Sequence, residues 1–169
     1  YVLASEIVAY TDNRCDKDNL QRCLEAYQTQ KTLSMDEIWN IGVFLQIAII
    51  EKIRRICEII YISQMQKLKV ESIVNRLVEK NNKKFRIYRI NFANKTKTNI
   101  EYPFIEYMSY RLKKYGKKAY GYIEILEEIM LKKGTTVSDI IKKEHFDIAI
   151  NKVSIGNSIS SIKEIQRIN

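Results

Sequence analysis

One proline and five glycines are the only strong backbone breakers in a chain of 169 residues. So few breakers argue against a many-turned β architecture and favour long helices. Three cysteines, an odd number with no CxxC pair, argue against a disulfide framework and against a cysteine-based zinc site. They fit a reducing, cytoplasmic setting. There is one histidine, His145. No apolar run reaches the ~18–20 residues that a membrane span requires. The best candidate, Val43 to Ile50, is interrupted by Gln46 and then meets Glu51, Lys52, Arg54 and Arg55. No secretory signal pattern is visible. Gly116, Gly121 and Gly134 are spaced too widely for a phosphate-cradling loop.

What is present is a core-forming composition. Hydrophobic residues make up 46% and charged residues 29%, which places the chain among globular domains rather than disordered segments. The length suffices for one domain with a substantial core. The formal charge of +9 would suit a polyanionic partner. The positive residues are dispersed, however, with denser groups only at Lys80–Lys84, Arg111–Lys118 and Lys142–Lys143. Dispersal favours a solvated lysine-rich surface, and no nucleic-acid partner is expected.

Helical periodicity recurs along most of the chain. Tyr1 to Tyr10 carries Leu3, Ile7 and Tyr10 on one face. Thr11-Asp12-Asn13-Arg14 reads as a polar turn, and Asp16 or Asp18 as the cap of a helix ending near Tyr27. Ser34-Met35-Asp36-Glu37 has the spacing of a capping box. A short helix follows, with Gly42 as its expected bend, and then one long helix from Val43 to Glu79. The inward stripe of that helix is read as Ile47, Ile50, Ile53, Cys57, Ile60 and Tyr61. Residues 81–102 are an expected irregular linker or short strand. Pro103 opens the next helix and Gly116 ends it. A helix from about Lys118 to Lys133 stops at Gly134, and Thr136 or Ser138 caps another that reaches Ala149. A last helix begins near Lys152 or Ser154 and still runs at Asn169. The fold expected is all-α, a multi-helix bundle or stacked helical hairpins. It has an N-terminal part (1–80), a linker (81–102) and a C-terminal part (103–169) that together make one compact domain. Both ends look cut through helices, so a piece of a larger chain is expected.

The chemistry-bearing residues are sparse. His145 beside Glu144 and Asp147 has the types for a paired base, but no supporting triad or ligand set accompanies it. Asp16-Lys17-Asp18 matches the DxD pattern of metal-dependent sugar-nucleotide transferases, yet it opens a helix, where capping is its ordinary role. Neither a catalytic nor a metal site is assigned. The richest candidate surface interleaves Tyr107, Tyr110 and Tyr115 with Arg111, Lys114 and Lys118. Such a surface suits a sugar, a nucleic acid or an acidic partner.

Three stretches together resemble a known family. These are Ala4-Ser5-Glu6-Ile7-Val8-Ala9-Tyr10-Thr11-Asp12 with Asp16, Leu20 and Ala26-Tyr27-Gln28; then Leu33 and Glu37-Ile38-Trp39 with Phe44 to Arg55; then Val153-Ser154-Ile155-Gly156-Asn157-Ser158-Ile159-Ser160-Ser161-Ile162-Lys163. In order and spacing they are similar to the helical region before the glucosyltransferase module of bacterial cyclic β-1,2-glucan synthases. The resemblance implies a large, membrane-associated parent that builds glucan from UDP-glucose with a divalent metal. It implies no cofactor within this stretch, because the nucleotide and metal ligands of that family lie downstream. The expected role is a non-catalytic scaffold on the cytoplasmic side that packs on the glucosyltransferase module. Thr11, Asp12 and Arg14 of the turn, and Glu51, Arg54 and Arg55 of the long helix, are the expected interdomain contacts. The alternative is a helical binding module that uses its Tyr/Lys surface for nucleic acid or glucan.

Overall fold

A computed structural model describes residues 1–79 and 102–168 of the chain. Among these residues the structure is all-α, with no strand. Six α-helices follow in order: α1 Val2–Tyr10, α2 Lys17–Gln28, α3 Met35–Glu79, α4 Tyr102–Lys114, α5 Tyr120–Lys132 and α6 Val137–Ile168. A 3₁₀ turn, Gly116–Ala119, joins α4 to α5. The linker expected at 81–102, and the strand considered within it, lie outside the described residues except for Tyr102.

The helix ends follow local chemistry. Asp16 caps α2, its Oδ1 accepting from the Asn19 amide at 2.9 Å. At α3 the capping box closes: the Glu37 amide donates to Ser34 Oγ at 3.2 Å, and Glu37 Oε2 accepts from the Ser34 amide at 2.8 Å. These bonds also hold the Glu37 carboxyl below its usual pKa, the amide bond being the larger cause. Thr136 Oγ1 accepts from the Asp139 amide at the start of α6. Gly116 (φ +58°) and Gly134 (φ +75°) end α4 and α5 in the left-handed region that a side chain disfavours.

Two expectations about helix breaks fail. Gly42 does not break the helix, because α3 runs through it without interruption. A single glycine costs a helix only ~1 kcal/mol, and the apolar residues on both sides of Gly42 hold the segment. The break expected between Ala149 and Lys152 is also absent, since α6 is one 32-residue helix. No Gly or Pro stands there to end it.

The chain divides into two compact units. The first comprises Tyr1–Ile59 with Ala149–Asn169. Its core is Ala4, Ile7 and Val8 of α1, Cys15 between α1 and α2, Leu45, Ala48 and Ile49 of α3, and Ile165 of α6, with Leu20, Cys23 and Leu24 of α2 packed on it. The second comprises Ile60–Ile148. There Val70 and Val74 meet Ile105, Met108 and Leu112 of α4, Tyr122, Ile125, Leu126, Ile129 and Met130 of α5, and Val137 and Ile140 of α6. The inward stripe of α3 differs from the one read in the sequence. Leu45, Ala48, Ile49 and Ile56 are buried, whereas Ile47, Ile50, Cys57, Ile60 and Tyr61 are exposed and Ile53 is half-buried. This part of α3 is apolar on more than one side, so periodicity alone does not choose the buried face.

Candidate functional site

The densest polar constellation lies in the first unit, where the turn after α1 meets α6. Asp12 (φ 49°) and Asn13 (φ 64°) adopt the left-handed conformation in succession, which Asp and Asn tolerate better than other side chains. The Asn13 amide donates to Val8 O at 2.9 Å, closing the end of α1. This turn drives Asn13 into the interior, where it has no exposed surface. Its Nδ2 donates to Ser154 Oγ at 2.6 Å and to Ser158 Oγ at 3.0 Å, with Ser154 O at 3.3 Å. One turn further along α6, Ser161 Oγ donates to Asn13 O at 2.7 Å and accepts from the Cys15 amide at 2.8 Å. Asn157 Nδ2 donates to Asp12 O at 3.1 Å. Ser154, Asn157, Ser158 and Ser161, on one face of α6, thus take up most of the polar groups of one turn, while Asn13 Oδ1 is buried with no hydrogen-bond partner.

This arrangement holds the turn against α6. Cys15 is buried, and desolvation pushes its thiol pKa up despite the hydrogen bond with Thr11. A raised pKa disfavours the thiolate on which cysteine chemistry depends. Of the expected contact residues, Thr11 is half-buried and its hydroxyl donates back to Ile7 O at 2.8 Å. Asp12 and Arg14 are exposed, and Arg14 pairs with Asp16 at 3.1 Å.

The other expected contacts lie on α3. Arg54 and Arg55 both reach Glu51, at 2.7 Å and 3.0 Å, and Arg54 also pairs with Glu58. These bonds, the one from Arg54 foremost, pull the Glu51 carboxyl pKa down to about 2. Glu51 and Arg55, with Lys52 between them in sequence, line a shallow cleft against Tyr1, Ser5, Val8 and Ala9, of about 120 Å³. Exposed ion pairs of this kind contribute little stability.

In the second unit half of the expected Tyr/Lys surface is turned to internal use. Glu71 of α3 accepts from the Tyr107 hydroxyl at 2.5 Å and from Arg111 at 2.7 Å. The Tyr107 bond is the main reason that the Glu71 carboxyl lies below its usual range. Arg111 also lies over the Tyr115 ring, and Lys67 over the Tyr107 ring. Tyr107 stacks on Tyr110 with centroids 5.9 Å apart. Lys114 and Lys118 remain exposed, as does Tyr110. Sequence reading did not single out Glu71, because a lone Glu in a long amphipathic helix carries no local signal of its partners. Asn13 and the serines were visible only as parts of longer motifs. Their signal was Ser154, Asn157, Ser158 and Ser161 on one helix face, where small polar residues are not favoured by propensity.

His145 is exposed, and its Nε2 lies 3.8 Å from Glu106 Oε1. Glu144 is buried, and desolvation raises its pKa, with Glu106 and Asp147 adding to the effect. Among the described residues there is no group of three or more His, Cys, Asp or Glu able to hold a metal ion. No helix among them is long and apolar enough to cross a membrane.

The chain is 23% identical over 163 residues to the cyclic beta-(1,2)-glucan synthase NdvB of Rhizobium meliloti (strain 1021). The match takes in 96% of this chain, so the turn at 11–14 and the serines at 154–161 both lie inside it. It takes in 6% of the relative, so the chain spans only a small fraction of that protein's length. No family model and no solved structure matches the chain.

Proposed function

We propose that this chain is a helical accessory segment of a protein related to cyclic β-1,2-glucan synthase, and that it positions a glucosyltransferase module without performing the transfer. One observation carries the reading. The chain is matched almost end to end with a short stretch of a glucan synthase, and the Asn13 amide nitrogen and the hydroxyls of Ser154, Ser158 and Ser161 in its most distinctive motifs are engaged in bonds inside the fold. Groups engaged in holding a turn against a helix are not available to bind or activate a substrate.

In this reading UDP-glucose and its divalent metal are held by the downstream module, on the cytoplasmic side of a membrane-associated parent. The surface left for that module comprises Thr11, Asp12 and Arg14 at the turn and Glu51 and Arg55 at the adjoining cleft. The test is made in the longer polypeptide with the pair of changes Arg14→Glu and Arg55→Glu. UDP-glucose-dependent glucan formation falls, while the 169-residue chain carrying the same changes keeps its helical circular dichroism. Unchanged glucan formation contradicts the reading.

One observation favours a second reading, a binding module for a polyanion. Residues 111–118 hold five cations and no acid, and Lys113, Lys114, Lys117 and Lys118 are exposed. Binding of a nucleic acid there would weaken steeply as salt rises. Glucan stacking on the exposed tyrosines would not.

A further inference from the structure

The second unit carries a cluster of positive charge that its own acids do not offset. No acidic residue stands between Glu106 and Glu124, and five cations fall within that interval. One of them, Arg111, is committed to Glu71 at 2.7 Å. The other four, Lys113, Lys114, Lys117 and Lys118, are exposed. Lys113 and Lys114 stand in the last turn of α4, where cations suit the negative helix end. Lys117 and Lys118 lie beyond it, in the 3₁₀ turn. Arg54 has Glu51 and Glu58 on its own helix, and Lys132 has Glu128, but these four lysines form no ion pair among the described residues. Glu71 lies close enough for Lys114 to help lower its pKa, yet both its oxygens are already taken, by Tyr107 and Arg111.

The tyrosines among these cations restrict the partner. A base or a sugar ring stacks on an open aromatic face. The Tyr107 ring has Lys67 over it at 5.7 Å and Tyr110 stacked on it at 5.9 Å, and the Tyr115 ring lies under Arg111 at 5.5 Å. Those faces are used within the unit. Tyr110 and Tyr120, 55% and 63% exposed, flank the four lysines in sequence. Tyr and Lys share one property, an apolar body below a polar tip, which suits the headgroup layer of a bilayer. Four lysines within residues 113–118 also reach the density at which a basic segment attracts anionic lipid. The 3₁₀ turn joins α4 to α5 there, so the lysines sit at a corner, which meets a plane more readily than it encloses a peptide.

We propose that this corner of the second unit docks on an anionic phospholipid surface, with Lys113, Lys114, Lys117 and Lys118 at the phosphate layer and Tyr110 and Tyr120 beside them. The attachment is peripheral and electrostatic, and salt reverses it. This assignment rests on the polyanion reading and narrows it to one partner. It is independent of the relationship to glucan synthase.

Cosedimentation of the purified chain with vesicles tests it, with circular dichroism as the fold control. The chain sediments with phosphatidylcholine vesicles that contain phosphatidylglycerol and not with phosphatidylcholine alone, and rising salt releases it. Lys113→Gln, Lys114→Gln, Lys117→Gln and Lys118→Gln each weaken binding about fivefold, and the four together abolish it. Lys17→Gln, Lys31→Gln, Lys152→Gln and Lys163→Gln, made together at exposed positions of the first unit, remove the same charge and change binding little. A chain that ignores anionic vesicles, or binds neutral ones equally well, overturns the proposal. Equal loss from the two quadruple variants also overturns it, because the net charge of +9 would then be the cause. The same titrations with oligothymidylate and with polyglutamate separate the other partners. Either one held at a salt concentration that frees the chain from vesicles overturns the lipid assignment and leaves the polyanion reading standing. Binding to none of the three overturns both.

Discussion

Replacing Asn13 by alanine removes the centre of the lock between the turn and α6. Two side-chain hydrogen bonds to Ser154 and Ser158 disappear, at about 1 kcal/mol each. The backbone at φ 64° then holds an alanine in the left-handed region, at a further cost of about 1 kcal/mol. The expected loss is about 3 kcal/mol. Asn13→Gly loses the same side chain but not the conformational fit, so it should cost about 2 kcal/mol. The order of the two variants therefore separates hydrogen bonding from backbone strain. Urea unfolding followed by circular dichroism measures the total. Amide hydrogen exchange shows whether the loss is confined to Tyr1–Ile59 with Ala149–Asn169, as the division into units requires. An alanine variant within about 0.5 kcal/mol of wild type, the usual range for an inconsequential surface change, refutes the account of the turn. A glycine variant no better than alanine refutes the strain component.

Burial holds the Glu144 carboxyl pKa above its ordinary value, with Glu106, Asp147, Lys67 and His145 the charged groups around it. Its stabilising contribution is present below the unfolded pKa and is lost as pH rises through the folded one. Glu144→Gln should raise the melting midpoint at pH 7 and remove that loss, as thermal melts across pH 4–8 would show. Glu71 has the opposite sign: its pKa is lowered, mainly by the Tyr107 bond, so its contribution is lost as pH falls through the folded value. Glu71→Gln should flatten the acid limb of the same profile, whereas Tyr107→Phe should remove only part of it. Among the cysteines Cys57 is exposed and Cys15 is buried. A thiol reagent should label Cys57 at once and Cys15 only as the first unit opens.

The helices and their ends were legible because their determinants are local. Ser34 and Glu37 sit three apart and close on each other, Asp16 meets the Asn19 amide, and Gly134 has a single residue type's conformational freedom. What stayed hidden was set by distant partners. Nothing within α3 alone distinguishes its two apolar sides; Leu45 and Ile49 are inside because α1 and Ile165 lie there, and Ile47 and Ile50 are outside because nothing in the first unit covers them. Helix continuity at Gly42 and near Ala149 is set by flanking apolar residues rather than by the local residue, so neither is legible from one position. The serines of α6 carry no local sign of their role, because their partner Asn13 stands more than 140 residues away in the chain. Of the Tyr/Lys surface, Tyr110, Lys114 and Lys118 face solvent as a lysine-rich sequence suggests, but Tyr107 and Arg111 were claimed by a glutamate with no signature of its own.

Glucose transfer from labelled UDP-glucose in the presence of a divalent metal probes the central claim most directly, measured for the 169-residue chain by itself and for a longer polypeptide that includes the downstream module. The account predicts no incorporation by the chain alone, and incorporation by the longer polypeptide that falls when the Asn13 lock is broken by Asn13→Ala. Incorporation by the chain alone, or full transfer by a polypeptide from which this segment has been removed, would contradict it.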